Sequence, residues 1–209
     1  VDYPSNYNIT KKGNVIAIGD THSPGERKGY LEHCARVRDK YKCEVAIHMG
    51  DEADNHQMSY HEHNPNAYSA AQEVQLCRQQ LARWYKEFPE MLVCMGNHSD
   101  LPRRRAHTHG LPEWILRDYK DLWQAPDGWK WVMSCVKDGV KYVHGDGIGV
   151  GGKSPALQAA CEFRQSMVLG HFHTVAGVWY DATDHDIVMG VNVGCGQDPN
   201  HYSAKYAVK

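Results

Sequence analysis

Five times along this chain an apolar run stops, and a glycine and metal-capable side chains come next. The runs end in Gly19-Asp20-Thr21-His22, Gly50-Asp51-Glu52-Ala53-Asp54, Gly96-Asn97-His98-Ser99-Asp100, His144-Gly145-Asp146 and Gly170-His171-Phe172-His173. Ligands of open α/β sheets bind beyond the carboxyl ends of the strands, and all five clusters occupy such ends. Asp20 with His22, and His171 with His173, are two residues apart, so in extended chain each pair points to one side. One DxH or HxH pair is commonplace and reads as a polar turn. Five in series would crowd carboxylates and imidazoles at one sheet edge, which is costly on desolvation unless a partner joins them. The 14 histidines among 209 residues suit a metal as that partner.

Val- and Ile-rich runs alternate with helix-period segments. Strands are predicted over 14–19, 43–50, 91–96 and 167–170, and helices over 28–42, 68–88 and 111–123. Residues 129–136 and 141–144 read as a hairpin turning at Asp138-Gly139, and 178–181 pairs with 187–193 across a polar turn. A helix over 155–165 starts from Ser154 as N-cap with Pro155 at its first position. Strand and helix alternate in the first half and hairpins follow in the second, which gives α/β with a mixed sheet or two sheets. No repeat or long linker divides the chain, so 1–209 is expected to form one domain. The balance of 23 basic against 25 acidic residues gives a formal charge of -2, without the basic excess of a sequence-independent nucleic-acid binder. No run nears the roughly 18 apolar residues of a membrane span, and the polar start lacks the apolar region of a signal peptide. Seven scattered cysteines without a CxxC pair read as reduced core residues, so a soluble, cytoplasmic protein is expected.

Taken in order, GDTH, GDEAD, GNHSD, VHGD and GHFH resemble the signature of the calcineurin-like metallophosphoesterases, over nearly the whole chain. The resemblance implies an α/β fold in which a two-sheet β sandwich of mixed strands is flanked by helices, with two divalent ions at the strand ends. Carried over by position, Asp20, His22, Asp51 and His173 would hold one ion. Asp51, Asn97, His144 and His171 would hold the other, with the Asp51 carboxylate bridging. His98 matches the family's catalytic histidine, and Asp54 the carboxylate that pairs with it. The resemblance thus implies phosphoester hydrolysis by attack of a metal-bound hydroxide. The donor chemistry agrees with it independently. Imidazole, carboxylate and amide oxygen without thiolate suit Mn, Fe, Zn, Ni or Co, with Mn the first choice, and are too nitrogen-rich for Mg or Ca. Two ions about 3.5 to 4 Å apart clamp the attacking and leaving oxygens of an in-line displacement. Monoester hydrolysis needs accelerations reaching ~10²¹, whereas a general acid alone supplies about 10² to 10⁴.

Two positions depart from the pattern. Ser99 stands where relatives often carry an acidic residue, leaving Asp100 as the alternate to Asp54 for orienting His98. Asn55 stands where the protein Ser/Thr phosphatases carry Arg, which argues against a phosphoprotein phosphatase. Residues 147–154 spell a literal GxxxxGKS, yet few strand-like runs remain after it for a nucleotide-triphosphatase fold. Lys153 is instead a candidate phosphate contact in a Gly-rich turn. Arg103, Arg104 and Arg105 are candidate contacts to a substrate phosphate or a nucleic-acid backbone, or else a solvated charge run. The segment 56–66 reads as a polar rim, and His61, His63, His33, His48, His107, His109, His185 and His201 as solvated. The six tryptophans read as core. The leading expectation is a phosphodiesterase acting on a small or nucleotide-type substrate. A DNA or RNA nuclease is the alternative, favoured by a loose likeness to phage-encoded members, and a non-catalytic metal-binding scaffold is the third.

Overall fold

The computed structural model describes residues 3–62, 64–149 and 154–204. The chain opens on a short strand, β1 (Tyr7–Asn8), followed by β2 (Asn14–Ile18), β3 (Cys43–His48), β4 (Met91–Cys94) and β5 (Trp129–Val132). Helices α1 (Tyr30–Lys40), α2 (Ala70–Glu87), α3 (Leu101–Thr108) and α4 (Tyr119–Trp123) intervene. β2, β3, β4 and β5 pair in that order as a four-stranded, wholly parallel sheet. Parallel neighbours need long crossovers, which the helices supply. The second half adds β6 (Ser134–Lys137), β7 (Val140–Val143), α5 (Pro155–Phe163), β8 (Met167–Leu169), β9 (Ala176–Ala182) and β10 (Ile187–Val193). With β1 these strands make a mixed, six-stranded sheet of order β1-β6-β7-β8-β10-β9.

Three apolar layers hold the sheets and helices together. Between the sheets lie Val45, Ile47, Met49, Cys94 and Val132 from one side and Cys135, Tyr142 and Val168 from the other. The outer face of the smaller sheet, with Ile16, Ile18, Val93 and Trp129, packs on Leu31, Leu81, Trp84 and Trp123 of α1, α2 and α4. The outer face of the larger sheet, with Met167, Leu169 and Val188, packs on Ala156, Ala159 and Ala160 of α5. The result is the expected sandwich of two sheets flanked by helices. α2 starts from a reciprocal cap, with the Ser69 hydroxyl accepting from the Gln72 amide and the Gln72 side chain from the Ser69 amide. α5 starts as expected, the Ser154 hydroxyl accepting from the Leu157 amide at 3.2 Å. Among the described residues no helix is long and apolar enough to cross a membrane.

Two expectations are corrected. The run 129–136 is not one strand: it splits at Met133, where the chain leaves the parallel sheet and enters the mixed one, and the Met133 amide is taken by the Pro4 carbonyl (2.8 Å). The hairpin itself stands, since β6 and β7 pair antiparallel across Asp138 (φ 50°) and Gly139 (φ 81°), the two positive-φ residues of a tight primed turn. The helix expected over 111–123 is broken. Pro112 and Leu116 are extended, a 3-10 turn spans Glu113–Ile115, and Asp118 caps the short α4 by accepting from the Lys120 amide. Pro112 lacks an amide proton and disfavours helix before it, and Asp118 bonds the backbone better as a cap than from a helix interior. The helical residues lie earlier, in α3, with Pro102 in its first turn.

Candidate metal centre

The loops that leave β2, β3, β4, β7 and β8 are laced together by their backbones. The His22 and Ser23 amides donate to the Asp51 and Glu52 carbonyls (2.8 and 3.0 Å), and the Asp54 amide donates back to Ser23 (3.0 Å). The His98 and Ser99 amides both donate to Asp51 Oδ1 (2.8 and 3.2 Å), and the His171 amide donates to Asp20 Oδ2 (3.0 Å). His144 Nδ1 donates to the Met49 carbonyl (2.8 Å). Four residues of these loops, His22 (φ 47°), Asp51 (φ 50°), Asn55 (φ 50°) and His171 (φ 61°), sit in the left-handed region that non-glycine residues seldom enter. Such backbone strain concentrates where a structure holds side chains for a task.

The side chains converge accordingly. Asp20, His22 and His173 form one trio, His22, Asp51 and His98 a second, and Asp51, His144 and His171 a third, with the ligand atoms of each trio within 4.8 Å of one another. Asp51 belongs to two of them. His22 turns Nδ1 to Asp54 Oδ1 (2.8 Å), which leaves its Nε2 facing His173 Nε2 at 3.1 Å. His144, its Nδ1 committed to Met49, presents Nε2 to Asn97 Oδ1 (3.0 Å) and Asp51 Oδ2 (3.2 Å). His173 Nε2 lies 3.2 Å from Asp20 Oδ2. Asp20, Asp51, His22 and His144 are all buried.

With neutral rings these contacts would set lone pairs against lone pairs, and either a proton on each imidazole or a shared cation resolves them. The buried Asp20 Oδ1 has no hydrogen-bond partner among the described residues. A Cβ at Gly170 would stand 2.5 Å from that oxygen, and one at Gly96 would stand 2.2 Å from Asp51 Oδ1, so both carboxylates are seated where only glycine leaves room. Burial works against charge on the imidazoles, but Asp51 and Asp20 outweigh it at His144, and Asp20 with Cys195 at His173, lifting each to about 10. Burial likewise opposes ionisation of Asp51, yet the surrounding histidines, His144 foremost, hold it well below the usual carboxylate range. Two buried carboxylates facing inward-pointing imidazoles and an amide oxygen are a fitting donor set for divalent transition metals.

Residues 13–190 match the calcineurin-like phosphoesterase family. The chain belongs to that family. Membership makes it a hydrolase of phosphoester bonds, and the dinuclear metal centre typical of calcineurin-like phosphoesterases fits its histidine and aspartate clusters. No curated protein matches it. A solved structure, of the Pseudomonas putida nuclease MPE, is 13% identical, with 90% of this chain and 74% of that one covered, and a TM-score of 0.39.

Around the centre of this calcineurin-like phosphoesterase, Asp54 carries more contacts than its motif alone suggests. Its carboxylate takes His22 Nδ1 and lies 3.3 Å from His98 Nδ1, which is also 2.8 Å from the Asp54 carbonyl. Both atoms facing His98 Nδ1 are acceptors, so that nitrogen carries a proton. Burial disfavours its charge, but Asp54 and Asp51 prevail and raise His98 to about 9. Asp100, the alternate partner, turns elsewhere: its carboxylate meets the Tyr119 hydroxyl (3.4 Å) and Arg103 (3.8 Å). Ser99, the departure from the family pattern, is buried, its hydroxyl donating to Glu52 Oε2 at 2.5 Å while Trp131 Nε1 donates to Glu52 Oε1 at 3.0 Å. Ser99 thereby fixes the GNH loop to the GDEAD loop.

The arginines are unequal. Arg103 pairs with Glu113 (2.7 Å), and Arg105 donates Nε to the Met58 carbonyl (2.6 Å) and its guanidinium to the Ser59 carbonyl. Neither is a solvated charge, and Arg105 is a brace for the loop after Asp54. Arg104 is exposed. Lys153 and His63 lie outside the described residues. His48, expected to be solvated, is 1% exposed. Its Nδ1 accepts the Gly50 amide (3.3 Å), which places the ring proton on Nε2, facing Thr21 Oγ1 (3.2 Å), and Thr21 in turn donates to the Glu52 carbonyl (3.2 Å). This chain of donors joins the DTH and GDEAD loops beneath the ligands. Of the tryptophans, Trp84, Trp123, Trp129 and Trp131 are core as expected, whereas Trp114 is 82% exposed.

Proposed function

We propose that the chain is a phosphodiesterase acting on nucleotide-type phosphodiesters with two divalent transition-metal ions, manganese being the first candidate. The observation that carries this reading is the shared Asp51 carboxylate, which stands between His22 and His98 on one side and His144 and His171 on the other. Asp20, His22, Asp51 and His173 would hold one ion, and Asp51, Asn97, His144 and His171 the other. Ions bound there would supply Lewis acidity toward the phosphoryl oxygens and a water acidic enough to attack phosphorus at neutral pH.

The chain's own groups do the rest. Asp51 Oδ1 is anchored by the His98 and Ser99 amides, so its other oxygen is held toward the centre. His98 keeps the Nδ1 proton on Asp54 and offers the Nε2 proton to the leaving oxygen, which a ribose or alkyl leaving group requires and an activated aryl group does not. Asp54 orients both His22 and His98. The seven cysteines are all free thiols, which supports a reducing compartment, the cytoplasm. The test is a panel of the Mn, Zn, Ni and Fe forms against bis-p-nitrophenyl phosphate, p-nitrophenyl phosphate, cyclic nucleotides and single- and double-stranded DNA. Diester hydrolysis that exceeds monoester hydrolysis supports the reading. Monoesterase activity alone, or no turnover with any metal, refutes it, and a preference for DNA over every small ester makes the enzyme a nuclease.

A further inference from the structure

The loops that carry Asp54 and His98 leave the centre together and then part. Asn55 Nδ2 holds the His98 carbonyl (2.9 Å), beyond which one chain turns through His56–Met58 to Tyr60. The other runs from His98 through Asp100 into α3. Arg105 ties the two walls farther out through the Met58 and Ser59 carbonyls. Beside α3, starting two residues from His98, lies a polar groove of about 430 Å³ lined by Tyr60, Asp100, Arg103, Arg104, His107 and Glu113.

The charges of this groove are not equally available. Both its carboxylates face Arg103, Glu113 at 2.7 Å and Asp100 at 3.8 Å. Arg104 and His107, three residues apart and so on one face of α3, are exposed, and among the described residues neither makes an ion pair. The Arg104 guanidinium lies 5.5 Å over the Tyr60 ring. It sits one helical turn, about 6 Å of rise, beyond Asp100. Arg104 makes no ion pair among the described residues and acts on Asp100 only through its field, so its fork is open to a phosphate in a groove whose wall begins two residues beyond His98.

Resting on the phosphodiesterase reading, we propose that this groove is a second-phosphate subsite, in which Arg104 holds a phosphate of the substrate other than the one being hydrolysed. A diester with a single phosphate leaves the groove empty. A nucleotide chain fills it with a terminal phosphomonoester or with the next internal phosphodiester.

The experiment compares kcat/KM for four substrates: bis-p-nitrophenyl phosphate, a dinucleotide with one phosphodiester, the same dinucleotide with a terminal phosphomonoester, and a trinucleotide with two phosphodiesters. Wild type should favour one or both two-phosphate substrates over the plain dinucleotide, and whichever is favoured identifies the source of the second phosphate. Arg104→Gln should lower that preference about tenfold, mainly through KM, the size expected for a lost charge-assisted hydrogen bond. Arg104→Lys should restore part of it. No preference in wild type, or an equal loss on all four substrates in Arg104→Gln, overturns the subsite while leaving the phosphodiesterase intact. Failure of wild type to hydrolyse even bis-p-nitrophenyl phosphate with any metal overturns the underlying reading, and the subsite with it.

Discussion

Replacing Glu73 with glutamine should change how the stability of this protein depends on pH. Glu73 lies in α2, 4% exposed, and receives the amides of His56 (2.7 Å) and Gln57 (3.3 Å), which turn the loop beyond Asp54. Burial raises its carboxyl from an ordinary 4.5 to about 7, with the Asp54 charge adding to the rise and the two amides resisting it. Between those pH values the folded chain keeps a proton that the unfolded chain has released. Stability is therefore lost as pH rises through the window, and the full penalty is present above about pH 7. At about 1.36 kcal/mol per pH unit the penalty comes to about 3 kcal/mol, most of it developing between the unfolded value of 4.5 and the folded value of about 7. Glutamine cannot ionise, but it has a single acceptor oxygen for the two amides and should cost about 1 kcal/mol at every pH. Urea unfolding of metal-free protein should thus find Glu73→Gln less stable than wild type at pH 4 and more stable at pH 8. A stability difference that is the same at both values would show that the buried carboxyl is not what titrates, and the reasoning would fail.

Three further outcomes follow from the centre itself. Asp51→Asn puts an amide where one carboxylate is shared by two trios, so metal content by elemental analysis should fall from two ions per chain together with hydrolysis; full occupancy in an inactive variant would contradict the bridging role. His98→Ala should slow an alkyl phosphodiester by about 10² to 10⁴ and an activated aryl diester much less, with both ions retained; an equal loss on both substrates would remove the proton-donor role. His48→Leu removes the acceptor of the Gly50 amide and the donor to Thr21, and should weaken metal binding about 10- to 100-fold in calorimetric titration. His48→Asn, which keeps an acceptor at the position of Nδ1, should recover most of that affinity, and equal weakening in both variants would exclude the Gly50 contact as the cause.

The residues that proved legible in the sequence and those that did not differ in what fixes them. The clusters that hold Asp20, His22, Asp51, Asn97, His144, His171 and His173 could be located because each follows an apolar run that must be a strand, and strand ends share one edge whatever the details of packing, whereas the choice of these seven within the clusters came from the family resemblance. The hairpin at Asp138-Gly139 and the cap at Ser154 were legible for a similar reason, since both are decided within a few residues. His48 had no such local mark. It is the last residue of β3, and its burial depends on Trp84 of α2, whose ring lies edge-on at 6.2 Å, and on Thr21 from another loop. Met133 was missed likewise, because apolar residues on both sides of it hide a change of sheet that only the partner strands reveal. The arginine triplet shows the same division within three adjacent positions. Composition makes Arg103, Arg104 and Arg105 equivalent, but the helical period turns them to different surroundings. Glu113 answers one, the Met58 and Ser59 carbonyls answer another, and the third lines the groove over the Tyr60 ring with no ion pair among the described residues. A charge run in sequence is thus a set of separate questions, and Arg104, without an ion pair among the described residues, is the one proposed above to meet a substrate phosphate.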